Sequence, residues 1–125
     1  MTALSPQLLA LGRVLLSLIF IVAGAEKIFN YAGSQQYMES AGLPGILLPA
    51  AIVLELGGGL AILAGFMTRW VALALAGFSL ATAVLFHLDF GNQMQTIMLM
   101  KNLAIAGGFL ALAAAGPGAF ALDKA

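Results

Sequence analysis

The sequence predicts an all-α membrane protein, with four transmembrane helices in an antiparallel bundle. Three observations carry this reading. Of the 125 residues, 62% are hydrophobic and 8% are charged, whereas a soluble domain is about 45–50% apolar and about 25% charged. There is too little polar surface here to cover a soluble globule. The apolar residues also fall into four runs, at about 7–29, 46–66, 68–88 and 96–115, each near the roughly 20 residues a helix needs to cross a bilayer. Finally, the runs lack the alternation of barrel strands. A span without water around it must satisfy its own backbone, which makes it a helix. The connections are short, so residues 1–125 read as one transmembrane domain with no soluble unit.

The first run contains Ala23-Gly24-Ala25, which fits a signal-peptidase site. No cationic stretch precedes it, so it is expected to be a retained helix. Arg13 and Lys27 lie fourteen residues apart, which at about 100° per residue returns to within about 40°. Arg13, Ser17, Phe20, Gly24 and Lys27 therefore share one stripe. A stripe of that composition is expected to face the bundle interior and not lipid.

The connection to the second helix, "NYAGSQQYMESAGLPG", is the longest. Tyr31 and Tyr37 suit the membrane interface, and the segment has room for a short helix lying on the membrane. Gly42, Pro44 and Gly45 end it. The second helix carries Glu55, with Gly58 and Gly59 three and four residues on and so on the same face. Small residues let a neighbouring helix approach closely, so Glu55 is expected to look inward. In the tight turn "GFMTRW", Thr68 suits an N-cap and Arg69-Trp70 an interfacial anchor. The third helix ends in "FHLDF", placing His87 on the same face as Arg69, five turns away. The fourth helix carries Lys101-Asn102, with Gly108 seven residues beyond Lys101, and "GPG" (116–118) ends it.

Lys and Arg favour the cytoplasmic side of a span. Arg13, Arg69 and Lys124 lie toward the side that carries both termini. The opposite, outer side holds Glu26, Lys27, Glu39 and Asp89, with Lys101 further in. This predicts cytoplasmic N and C termini. Counting about 1.5 Å per residue from the outer helix ends puts Glu55 and Lys101 roughly 8–14 Å deep. Glu26, Lys27 and His87 lie at the outer boundary. A polar cluster of Glu26, Lys27, Glu55, His87, Lys101 and Asn102 is therefore expected in the outer half, with Lys101 facing Glu55. Simpler roles stand beside this one. Lys101 can snorkel, a Glu55–Lys101 pair can serve as packing glue, His87 can sit at the interface, and Arg13 and Arg69 can act as anchors.

The chain has no cysteine and one histidine. That excludes thiol–disulfide exchange, iron–sulfur clusters, c-type haem attachment and a bis-histidine haem within one protomer. No metal-ligand spacing is visible, and the six methionines read as packing residues. The zero net charge argues against nucleic acid as a partner.

The segments "GRVLLSLIFIVAGAEKIFNYAG", "LELGGGLAILAGFMTRWVAL" and "LMKNLAIAGGFLALAAAGPG" resemble the DoxX family of small bacterial membrane proteins, over Gly12 to Asp123. The resemblance implies a four-helix inner-membrane protein whose polar positions are Arg13, Lys27, Glu55, Arg69, His87, Lys101 and Asn102. It also implies a membrane subunit linked to quinone-dependent sulfur oxidoreductases or to redox-stress systems. No intrinsic cofactor or redox centre is visible, so the chain is at most a subunit of an oxidoreductase. Three readings compete. In the first, a quinone-interacting subunit works with a redox partner protein. Here Lys101, Asn102 and His87 donate to quinone carbonyls, and Glu55 shuttles a proton. In the second, the cluster is the pocket of a small-solute or lipid transporter. The faint repeat of "GGGLAIL" in "AGGFLAL" suits that reading. In the third, a structural module recruits partners or forms a homo-oligomer in the lipid bilayer.

Overall fold

The structure, a computed structural model, describes residues 5–86 and 91–123. Among those residues it is all helical. Helix α1 spans Ser5–Phe29 and α2 spans Tyr31–Ser40. Helix α3 covers Gly45–Ala64, α4 Thr68–Phe86 and α5 Gln93–Ala115. Four of these, α1, α3, α4 and α5, are long and apolar enough to cross a membrane. Helix α2 is the short helix of the long connection.

Helix α3 is not uniform. It opens with a 3₁₀ turn at Gly45–Leu47 and carries a π-helical turn at Val53–Gly57. A π turn inserts an extra residue and re-aims its side chains, and such turns occur often at functional sites. Glu55 stands at the centre of this one.

The bundle is two hairpins. Helix α1 packs along α3, and α4 packs along α5, while the main contact of α3 with α4 lies along Gly58–Ala64. Glycine permits the first pairing. A Cβ on Gly24 would stand 3.0 Å from the backbone N of Leu56, and one on Gly59 would stand 3.1 Å from that of Ile21. The core gathers Phe20, Ile62, Leu75, Ala76, Ala106, Phe109 and Leu112. Phe20 meets Phe109 edge to face at 5.5 Å and Phe78 at 6.4 Å, the geometry aromatic pairs favour. This core fills the half of the bundle nearer the termini, here the terminal half. The opposite half is called the far half.

The predicted stripe on α1 is present. Arg13, Ser17, Phe20 and Gly24 are all buried. Arg13 is 1% exposed, so it is an interior residue and not an interfacial anchor. Its guanidinium donates five hydrogen bonds, all to backbone carbonyls. Nε reaches Pro117 O at 2.7 Å, and Nη1 reaches Ile62 O and Leu63 O, both at 3.0 Å. Nη2 reaches Ala119 O at 2.5 Å and Phe120 O at 3.0 Å. Ile62 and Leu63 lie in the last turn of α3, where carbonyls lack the regular i+4 partner and the helix dipole is negative; Ile62 O also accepts from Gly65 N at 3.1 Å. Arg13 therefore caps α3 and holds the chain that follows α5.

That C-terminal segment begins where Gly116, at φ 90°, ends α5. It is then stitched down by Ala119 N to Pro6 O, Leu122 N to Ala64 O and Asp123 N to Gly65 O. The Asp123 carboxylate accepts from Met67 N at 2.7 Å and Thr68 N at 2.8 Å. The expected N-cap role of Thr68 is therefore corrected. Thr68 is the first residue of α4, and the cap comes from Asp123, distant in sequence. Burial raises the Asp123 pKa, but hydrogen bonds from Thr68 and Met67 and the nearby Arg13 charge outweigh it and hold the carboxyl below its ordinary value.

Two outcomes are expected. Replacing Arg13 with Met leaves buried carbonyls unpaired and should destabilise the purified protein by about 3–5 kcal/mol. Arg13→Lys should recover only part of this, because an ammonium has three donors and no planar fork. Thermal unfolding in detergent reads both. A carboxyl with a lowered folded pKa stabilises above its unfolded value, near about 4, and loses that contribution as pH falls through the folded value. Wild type should therefore unfold at a higher temperature than Asp123→Asn near neutral pH, and the gap should close below about pH 4.

Candidate functional site

The far half of the bundle holds a partly open cavity of about 930 Å³, lined by all five helices. It exists because the hairpins diverge there. Helix α3 meets α4 chiefly along Gly58–Ala64, so beyond the π turn the two separate. Most of the wall is apolar, with Ile19, Leu48, Leu54, Leu85 and Ile105 among its residues, and Phe20 and Phe78 also line it. Helix α2 contributes Gly33, Ser34, Tyr37 and Met38. It is held against α3 where Gln35 and Glu39 crowd Gly45.

The polar groups lie on two walls. On the wall built by α1 and α3, Lys27 Nζ donates to Glu55 Oε1 at 3.0 Å and Oε2 at 2.8 Å. Glu55 is buried, and the side chains of the pair are 28% and 6% exposed for Lys27 and Glu55. The α1–α3 pairing through Gly24 and Gly59 brings the end of α1 within reach of the π turn. Glu26, exposed, lies at the rim.

On the opposite wall, Asn102 Nδ2 donates to Thr82 Oγ1 at 3.0 Å, and the Thr82 hydroxyl donates to Ser79 O at 3.1 Å. Ser79 also lines the cavity. It is 2% exposed, and its hydroxyl has no hydrogen-bond partner. Ser79 belongs to a buried stripe of small residues, Ala72, Ala76, Ser79 and Ala83, which follows helical spacing. Ser79 and Thr82 were missed in the sequence reading, although two hydroxyls three residues apart on an otherwise apolar helix were available as a signal.

The expected Lys101–Glu55 contact is not formed. Glu55 is taken by Lys27, and Lys101 is exposed on the cavity's edge. The reason is angular, because adjacent helical residues diverge by about 100°. Asn102 lies on the buried stripe with Ala106, Phe109 and Leu112, which turns Lys101 away. Arg69 is exposed beside Gly116 at the terminal end, far from this cavity. Arg13 lies in the terminal half and does not join the cluster. His87, expected as a cluster member, lies outside the described residues. Of the predicted set, the cavity therefore gathers Glu26, Lys27, Glu55, Lys101 and Asn102.

Chemically, the cavity offers an apolar body with charged and hydroxyl groups on facing walls. Its described charges balance: Lys27 and Lys101 against Glu26 and Glu55. That arrangement suits a neutral amphiphile with a polar head.

Residues 8–88 match the DoxX family. The chain is 57% identical over 113 residues to inner membrane protein YqjF of Escherichia coli K12, covering 90% of this chain and 87% of that protein. It is 40% identical over 129 residues to inner membrane protein YphA of the same organism, covering 98% and 92%. No solved structure matches the chain. The family match and these two relatives place it: this inner-membrane protein belongs to the DoxX family.

Proposed function

We propose that the chain binds a membrane quinone in the far-half cavity and serves as the membrane subunit of a redox system. The observation that carries this is an ammonium–carboxylate pair on the wall of an otherwise largely apolar cavity within the spanning helices. A quinone needs an apolar volume for its ring and tail, a donor for its carbonyl, and a group that moves protons when it is reduced. Lys27 has three N–H groups, two of which Glu55 accepts, so the third can meet a carbonyl. Glu55, partnered and beside it, is the proton relay. Electrons come from a partner protein, and the quinone takes up protons in equal number.

The balanced charge of the lining favours a neutral head over a phosphate. The aromatic contacts of Phe20 with Phe78 and Phe109 stand between the cavity and the Arg13 knot, which favours a binding pocket over a through-path for solute. The cavity mouth belongs on the outer face and both termini in the cytoplasm. Exposed Arg69, together with Lys124, supports that orientation, whereas sequestered Arg13 adds no interfacial charge.

The test uses the double variant Lys27→Met/Glu55→Leu, because removing both charges avoids leaving one buried and uncompensated. A short-chain benzoquinone should bind wild type in lipid nanodiscs saturably and raise its unfolding temperature. The double variant should fold and bind at least about tenfold more weakly, as loss of a charged hydrogen bond implies. Equal binding by both proteins, or none by wild type, overturns the reading.

A further inference from the structure

We infer that the ligand is held at two points, one on each hairpin, with Ser79 and Asn102 as the second point opposite Lys27–Glu55. This inference rests on the quinone reading and narrows it. The ligand must carry two hydrogen-bonding groups on opposite edges of a compact head, as a para-quinone does. An amphiphile with one carbonyl does not meet that requirement.

Three observations converge. Ser79 is buried in the wall of the cavity, and its hydroxyl has no partner. Buried hydroxyls are nearly always hydrogen-bonded, and an unpaired one destabilises, so a residue of the cavity lining carries an unmet hydrogen-bonding capacity. Beside it, the Thr82 hydroxyl is committed. It donates to Ser79 O and accepts from Asn102, which fixes the Asn102 amide in place. Asn102 spends one of its amide hydrogens on Thr82 and keeps another. Last, the second wall belongs to α4 and α5, while the Lys27–Glu55 pair belongs to α1 and α3, and the hairpins separate beyond Gly58–Ala64. A ligand touching both walls spans that divergence. Ser79 and Asn102 then select heads by the number and placement of their hydrogen-bonding groups.

The experiment compares two probes of equal tail length, a short-chain benzoquinone and an alkyl aryl ketone with a single carbonyl. Both are titrated against wild type, Ser79→Ala and Asn102→Leu in nanodiscs. Ser79→Ala should weaken the quinone about five- to tenfold and leave the ketone within about twofold, the scale of one lost hydrogen bond. Its ligand-free unfolding temperature should stay level or rise, because an unpartnered buried hydroxyl has been removed. A role confined to packing would not give lower affinity together with undiminished stability. Asn102→Leu should likewise discriminate against the quinone. If Ser79→Ala binds the quinone as wild type does, or weakens both probes alike, two-point recognition is overturned while the quinone reading stands. If wild type binds no quinone, both are overturned.

Discussion

The Arg13 guanidinium is the contact on which the arrangement of the helices depends. Its five donors meet five carbonyls from two places, the end of α3 and the segment after α5. Placing a cation among carbonyls is stable only when every donor is used, because a desolvated charge is costly. Here the saturation is complete. One side chain on α1 thereby fixes the terminal end of α3 and the tail that follows α5. The tail in turn brings Asp123 to the start of α4. All four long helices are tied at one end by a network that begins at Arg13.

The cavity follows from that asymmetry. The terminal end is tied by hydrogen bonds and packed with aromatic side chains, so it holds the hairpins together. Toward the far end the α1–α3 pair stays tight through Gly24 and Gly59, while α3 and α4 diverge past Gly58. A rigid end and a splayed end leave a volume between the hairpins. The π turn at Val53–Gly57 lies where the divergence begins, and it turns Glu55 toward Lys27. The position of the charged pair and the opening of the cavity thus share one structural origin.

Much of this was legible in the sequence, and the misses have physical reasons. Segment length and composition point to four apolar spans, and four helices long and apolar enough to cross a membrane are present among the described residues; the 100° rule places the buried stripe of α1. The glycines beside Glu55 marked a close helix contact. The rule could not choose between Lys101 and Asn102, neighbours of which only one can point inward. The charge of Lys101 draws the assignment to it, yet Asn102 continues the buried register of α5. That carbonyls satisfy Arg13 is likewise hidden, since backbone groups carry no mark in a sequence. Asp123 as the cap of α4 was invisible for a similar reason: its partners lie 56 and 55 residues away. The π turn has no composition of its own and emerges only from the packing.

Helix α1 carries two cations within its span, and their surroundings differ: Arg13 is enclosed among carbonyls, whereas Lys27 lines a cavity. Arg13 has no donor left to offer, and its partners are carbonyls that do not titrate. Lys27 stands differently. It is partly exposed, it lines a cavity, and its partner is a carboxylate. A buried ion pair contributes little net stability compared with a well-packed apolar replacement. Fold stability alone therefore gives a weak reason for Lys27 and Glu55 to stand where they do. The proposed function supplies a stronger one, through the hydrogen-bond donor left on Lys27 and the volume beside it.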